Sequence, residues 1–108
     1  MIKLPSSVKI DNIEYEVKII KNLKDEGNEL MGCVTYHESV IKIDASQSQD
    51  QAINTLAHEC MHAISFERGI DSLLKESILE RVIDEMAKGF VQLIRDNPEL
   101  IKCIKKTK

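Results

Sequence analysis

The chain has 108 residues, of which 43% are hydrophobic and 31% are charged, so it is long enough for one domain with a single modest core. Its formal net charge of −3 and its isoelectric point near 5.6 give no electrostatic reason to expect a nucleic acid or a membrane surface as a partner. We therefore expect one domain over residues 1–108, with no nucleic acid and no membrane among its partners.

The sequence shows no targeting or membrane segment. The first seven residues turn polar too soon for a signal peptide, and no apolar run approaches the roughly 20 residues that span a bilayer. The three cysteines are odd in number and have no CxxC spacing, so the sequence predicts neither a disulfide framework nor a cysteine zinc site. These features favour a cytoplasmic protein with reduced thiols.

The first half of the chain is typical of short strands, because apolar and polar residues alternate with a period of two. The alternation is clearest over 13–19, where the odd positions would face a core and the even positions water. The segments that we expect to be strands are 8–10, 13–19, 30–36 and 40–43. They predict three to four antiparallel strands, joined by turns at 11–12 and 37–39 and by a polar loop at 24–28.

The second half is typical of two helices. A polar run over 44–50 supplies N-cap residues for the first helix, and Gly69 would end it. The second helix has a cap at 71–72 and a stop at 97–98, and its apolar stripe comprises Leu79, Val82, Ile83, Met86, Phe90, Leu93 and Ile94. Hairpins followed by helices predict an α+β domain, in which a small N-terminal antiparallel sheet packs with two main helices.

The HExxH motif at residues 58–62 carries the chemistry. Four residues apart on a helix, His58 and His62 lie one above the other, about 5–6 Å apart at Cβ, so both rings can bind one Zn²⁺. Glu59 points to the side and is placed to act as general base on a metal-bound water. The motif falls inside a segment that is helical on independent grounds, and from 55 to 64 only Glu59 is charged.

A catalytic zinc site needs a third protein ligand and one open position. No histidine follows His62, so the metzincin pattern is excluded. The candidates are the acidic residues of the second helix, Glu76, Glu80, Asp84 and Glu85. Glu80 lies on or beside the apolar stripe, where a carboxylate is costly to bury unless it is paired or binds a metal. Asp84, one turn further on, is placed to accept the free N–H of a ligand histidine.

Residues 58–62, followed 18 residues later by Glu80-Arg81-Val82-Ile83-Asp84, resemble the gluzincin pattern of HExxH plus a downstream ExxxD. The chain is also similar to the ImmA/IrrE-type peptidases and to short metallopeptidase-like proteins of bacteria and phages. The resemblance implies a minimal zincin-like fold in which Glu80 is the third zinc ligand and Asp84 braces a histidine. It implies Zn²⁺ as cofactor and hydrolysis of peptide bonds through a metal-bound water, with Glu59 as general base.

The resemblance also implies a donor for the tetrahedral oxyanion and a strand that binds the substrate. Gluzincins take the donor from a tyrosine or histidine beyond the third ligand, and this chain has neither after His62. Tyr36 and His37, at the end of a predicted strand, are the candidates, although His37 also fits an exposed turn. By analogy with zincins, the segment 32–35 would be the edge strand that carries a peptide or protein substrate.

Three other interpretations compete with the peptidase. A non-catalytic zincin-like module for protein interaction or regulation, of phage origin, would keep the helix pair for binding, but it has no need of Glu59. Zinc held only for structure is disfavoured because structural sites are closed and rich in cysteine. A helix with two incidental surface histidines would bind no metal at all. The substrate, the oligomeric state and the metal stay open, since the same ligands hold other first-row metals.

Overall fold

The computed structural model describes residues 1–106, so the last two residues of the domain predicted over 1–108 lie outside the described residues. The strands are β1 Ser7–Ile10, β2 Ile13–Ile20, β3 Lys24–Asp25, β4 Asn28–Glu29, β5 Gly32–Thr35 and β6 Val40–Asp44. The helices are α1 Gln49–Glu67, α2 Glu76–Asp96 and α3 Pro98–Lys106, and a 3-10 turn at Tyr36–Glu38 joins β5 to β6. The predicted α+β class is confirmed.

Four of the strands form one mixed sheet in the order β1-β2-β6-β5. The pairs β1–β2 and β5–β6 are antiparallel, but β2 and β6 run parallel, with Val17 opposite Ile41. The prediction of a wholly antiparallel sheet is therefore wrong at the centre. The polar loop predicted at 24–28 instead forms the β3–β4 hairpin, which turns through Glu26 and Gly27 at positive φ. After this hairpin the chain forms β5 at the edge of the sheet, and β6 then returns to pair between β2 and β5.

The core lies between one face of this sheet and α1. It is built from alternate residues of the two central strands and from apolar residues of the helix, namely Tyr15, Val17, Ile41, Ile43, Ala52, Leu56 and Ala63. The predicted inward row of β2 is confirmed only at its centre, because Ile13 and Ile19 are exposed. These two residues lie at and next to the ends of the strand, where less of the chain covers them.

The bounds of α1 agree with the sequence prediction. Ser48 is its N-cap and forms a capping box with Gln51, in which each side chain accepts a hydrogen bond from the other residue's backbone N–H. After the other end, Gly69 adopts a φ of 72°, the left-handed conformation that commonly terminates a helix. The HExxH motif therefore lies in the interior of a helix with well-defined ends.

The bounds of α2 differ from the prediction at the N-terminal end. The helix begins at Glu76 after Lys75, which makes no side-chain cap, while the predicted cap residue Ser72 donates to the carbonyl of Gly69. At the other end α2 stops before Pro98, as predicted, but this proline opens a third helix that the sequence analysis did not predict. Proline is favoured in the first turn of a helix because its missing N–H has no partner to lose there.

Only part of the predicted apolar stripe of α2 is buried. Leu79 and Ile83 are buried together with Ala87. The exposed members are Val82, Met86, Phe90, Leu93 and Ile94. Among residues 1–106, no helix combines the length and apolar character needed to cross a bilayer.

Candidate metal centre

The two motif histidines meet a carboxylate from α2. His58 and His62 lie one turn apart on α1, with their ring centroids 4.9 Å apart. The two carboxylate oxygens of Glu80 lie 2.7 Å from His62 Nε2 and 3.5 Å from His58 Nε2. One ligand atom from each of the three residues lies within 4.8 Å of the others. No other group of three potential ligands has this geometry within residues 1–106.

The chemistry of these three groups fits a divalent cation such as Zn²⁺. Two imidazole nitrogens and one carboxylate oxygen form a donor set that holds catalytic zinc and leaves a position open. Burial lowers the pKa of His62 against the opposing effect of Glu80. Burial therefore favours the neutral ring, which is the form that can offer a lone pair to a metal.

Asp84 lies beside His58, one helical turn after Glu80. Its Oδ1 is 3.4 Å from His58 Nδ1, and its Oδ2 is 3.0 Å from Lys88 Nζ. The hydrogen bond from Lys88, more than the nearby His58, lowers the pKa of Asp84. A charged carboxylate beside Nδ1 favours the ring orientation in which Nε2 is free to bind a metal.

Glu59 lies on the neighbouring side of α1, against β5. It is only 8% exposed. Burial raises its pKa to about 7, and the charge of Glu80 acts in the same direction while His58 opposes it. A carboxyl that titrates near neutral pH can both accept and return a proton, as a general base and acid must.

All of these groups line one open cavity of about 580 Å³. Its walls come from the β5 region, α1 and α2, and its lining residues are Leu30, Met31, Gly32, Cys33, Val34, Tyr36, Asn54, Thr55, His58, Glu59, His62, Glu80, Asp84, Ala87 and Lys88. Tyr36 stacks flat on Phe66, with ring centroids 4.1 Å apart. His37 is exposed and does not line the cavity. Of the two predicted oxyanion donors, the structure therefore brings only Tyr36 to this site.

Two of the four acidic candidates on α2 reach the cavity. Glu80 and Asp84 line it, whereas Glu76 and Glu85 do not, and Glu85 instead pairs with Arg81 at 3.8 Å. The side chain of Glu80 is 52% exposed, so the cost of burying a carboxylate does not explain its position. The packing of α2 against α1 turns Glu80 and Asp84 toward the histidines.

Sequence reasoning missed two polar residues of the cavity, Asn54 and Lys88. Each lies one helical turn from a residue that it identified, since Asn54 precedes His58 by four positions and Lys88 follows Asp84 by four. Residues four apart on a helix are neighbours on its surface. The four-residue spacing that pairs the two histidines, applied also to His58 and Asp84, would therefore have identified Asn54 and Lys88.

Gly32 is the point where β5 comes closest to α1. A Cβ at this position would lie 2.6 Å from Thr55 Cγ2, 3.2 Å from the carbonyl oxygen of Lys42 and 3.4 Å from Glu59 Cγ. Real Cβ atoms essentially never approach another heavy atom closer than 3.0 Å. Glycine therefore permits the contact between the edge strand and the helix that carries the motif.

We expect Gly32→Ala to lower the free energy of unfolding by about 1–3 kcal/mol, because the added methyl overpacks this contact. Thr55→Ser removes the nearest atom, Cγ2, and keeps the hydroxyl that donates to Gln47, so the double variant should regain part of the loss. Urea unfolding of the wild type, both single variants and the double variant measures the coupling. A Gly32→Ala protein as stable as the wild type, or strictly additive effects, would contradict the packing assigned to Gly32.

Comparison with known proteins shows no match to any family model, curated protein or solved structure. The resemblance to gluzincins therefore stays a prediction that rests on the HExxH motif, Glu80 and Asp84. The geometry of the cavity is an observation that does not depend on this resemblance.

Proposed function

We propose that the protein is a zinc-dependent peptidase of gluzincin type, with the metal bound by His58, His62 and Glu80. The observation that carries the proposal is the convergence of these three side chains in an open cavity that also contains the buried carboxyl of Glu59. If the contacts between the two histidines and Glu80 served only to hold α1 against α2, a further buried carboxyl at the same place would not be needed. Burying such a group is costly, so its presence favours a chemical role.

Each polar group near the three ligands has a distinct task in hydrolysis. When bound, zinc supplies Lewis acidity, which polarises the scissile carbonyl and lowers the pKa of water. Glu59 accepts the proton of the attacking water and passes it to the leaving amine. Asp84, 3.4 Å from His58 Nδ1, orients that ring.

The edge strand β5 supports an extended peptide as the substrate. It pairs with β6 on one side only, and no strand among residues 1–106 pairs with its other side. Gly32, Cys33 and Val34 of this strand line the cavity beside Glu59. Unpaired backbone groups on an edge can add a further strand, so we propose that the substrate backbone runs along β5.

Apart from the Cys33 thiol and the Thr55 hydroxyl, which donates to Gln47, the donors that line the cavity outside the three ligands are Tyr36, Asn54 and Lys88. Lys88 already forms an ion pair with Asp84 at 3.0 Å. Tyr36 is held by stacking on Phe66, and burial raises its pKa, so its hydroxyl keeps the proton that a donor needs. We assign the role of oxyanion donor to Tyr36.

The test is zinc-dependent cleavage by the purified protein. Reconstituted with zinc, it should hydrolyse members of a mixed peptide library, with products identified by mass spectrometry. A chelator should abolish cleavage and added zinc should restore it. A wild-type protein that binds no zinc after reconstitution would contradict the proposal. Zinc bound at about one ion per chain without cleavage of any peptide would favour the non-catalytic interaction module instead.

A further inference from the structure

One side of α2 is apolar and exposed. Its six large apolar side chains are between 39% and 60% exposed, and they are Ile78, Val82, Met86, Phe90, Leu93 and Ile94. Helical spacing places most of this face beside the one that α2 buries against α1. The exposed side chains present on the order of 500 Å² of apolar surface, the size of the largest apolar patch on a typical monomer, and a patch of this size is often functional.

Gly89 interrupts this apolar face, and the described residues offer no packing reason for it. Glycine is disfavoured in a helix interior relative to alanine. A Cβ on Gly89 would meet no atom within 4 Å. Val82, Met86, Gly89 and Leu93 are separated by four, three and four residues. Residues with this spacing form the seam along which two helices pack on one another. A residue without a side chain in such a seam lets a second helix approach closely.

Charge is divided between the two halves of α2. Residues 76–85 contain four acids and one base, a net charge of −3, whereas residues 86–96 contain two bases and one acid, a net charge of +1. An antiparallel pair of α2 helices therefore keeps the two acidic halves apart and brings each of them toward the weakly basic half of the other helix. A parallel pair would place like charges together, which is unfavourable.

We propose that this face is the interface of a homodimer in which the α2 helices of two copies cross antiparallel at Gly89. A second copy is the occupant that fits, because the apolar seam and the divided charge are both self-complementary about a two-fold axis. Two such faces bury on the order of 1,000 Å², near the lower limit for a specific interface, so we expect micromolar affinity. Glu80 and Asp84 lie on another side of α2, so the dimer does not depend on the metal.

Sedimentation equilibrium from low micromolar to millimolar concentration tests the dimer on the metal-free and the zinc-loaded protein. The mass should rise from 12.3 kDa toward twice that value in both states. Met86→Lys should raise the dissociation constant by about tenfold or more, because it buries an unpaired charge in the seam. The matched control Ser77→Lys adds the same charge at an exposed position nine residues before Met86, on the opposite side of α2, and should leave the dissociation constant within about twofold.

The Gly89→Ala variant tests whether the two α2 helices cross at Gly89 or whether this glycine has no role in the dimer. In the monomer the added methyl meets no neighbour and raises helix propensity, so the melting temperature at low concentration should rise. At the crossing the same methyl forces the helices apart, so the dissociation constant should rise about tenfold. A protein that stays monomeric at millimolar concentration, or a dimer that tolerates both Met86→Lys and Gly89→Ala, overturns the proposal.

Discussion

Glu59→Gln is expected to bind about one zinc per chain and to lose roughly a thousandfold or more of the peptidase activity. Glutamine has nearly the shape of glutamate, but its amide cannot accept the proton of the attacking water. Glu59 is not among the three converging ligands, so the metal should stay. Elemental analysis of the purified variant and kcat/KM on a cleaved library peptide measure the two effects separately.

The matched control is Glu14→Gln, which makes the same chemical change at an exposed position on β2. It should match the wild type in zinc content and activity. Activity of Glu59→Gln within about tenfold of the wild type would remove Glu59 from the mechanism, since a general base contributes more than that. Loss of zinc in Glu59→Gln would show that this carboxyl takes part in metal binding.

The burial of Glu59 can also be tested without a substrate, by comparing the stability of the wild type and of Glu59→Gln at different pH. The pKa of Glu59 is about 7 in the metal-free fold against an ordinary 4.5. The stability associated with its neutral form is therefore present below pH 4.5 and is lost as the pH rises through 7. This loss amounts to about 3 kcal/mol and should be absent from Glu59→Gln. Urea unfolding at pH 5 and pH 8 measures it. Equal pH dependence in the two proteins would contradict the burial of an ionising carboxyl here.

The second large effect concerns the ligands. His62→Ala and Glu80→Gln should each lose the bound zinc on desalting, because each removes one of only three protein ligands. Asp84→Asn should keep the zinc with an affinity about 10–100-fold weaker, because it changes only the group that orients His58. Competition with a chromophoric chelator gives these affinities.

Glu85→Gln is the matched control for Glu80→Gln, since it makes the same change on α2 outside the cavity. It should bind zinc as the wild type does. Zinc retained at full affinity by Glu80→Gln would move the third ligand to Asp84, the other acid of α2 in the cavity, and would contradict the assignment of Glu80. Full affinity in His62→Ala would contradict the HExxH site itself.

Features that depend on near neighbours in the chain were predictable from the sequence. The bounds of α1 follow from its capping residues and from Gly69, and the placement of both histidines on one side follows from the helical repeat. The β1–β2 hairpin and the central residues Tyr15 and Val17 follow from alternation over a few residues. Each of these patterns involves residues that are only a few positions apart in the chain, so no knowledge of distant contacts is needed.

Features that depend on distant parts of the chain were decided only by the tertiary structure. The parallel pairing of β2 with β6 is set by the path of the intervening hairpin, which local alternation does not encode. The sequence favoured Glu80 and Asp84 among four acids on α2, but only the packing of α2 against α1 decided that these two, and not Glu76 and Glu85, line the cavity. The same rotation left Met86 and Phe90 exposed, although periodicity ranks them with the buried Ile83. Periodicity shows that a helix has an apolar side, but the crossing of two helices decides which part of that side is covered.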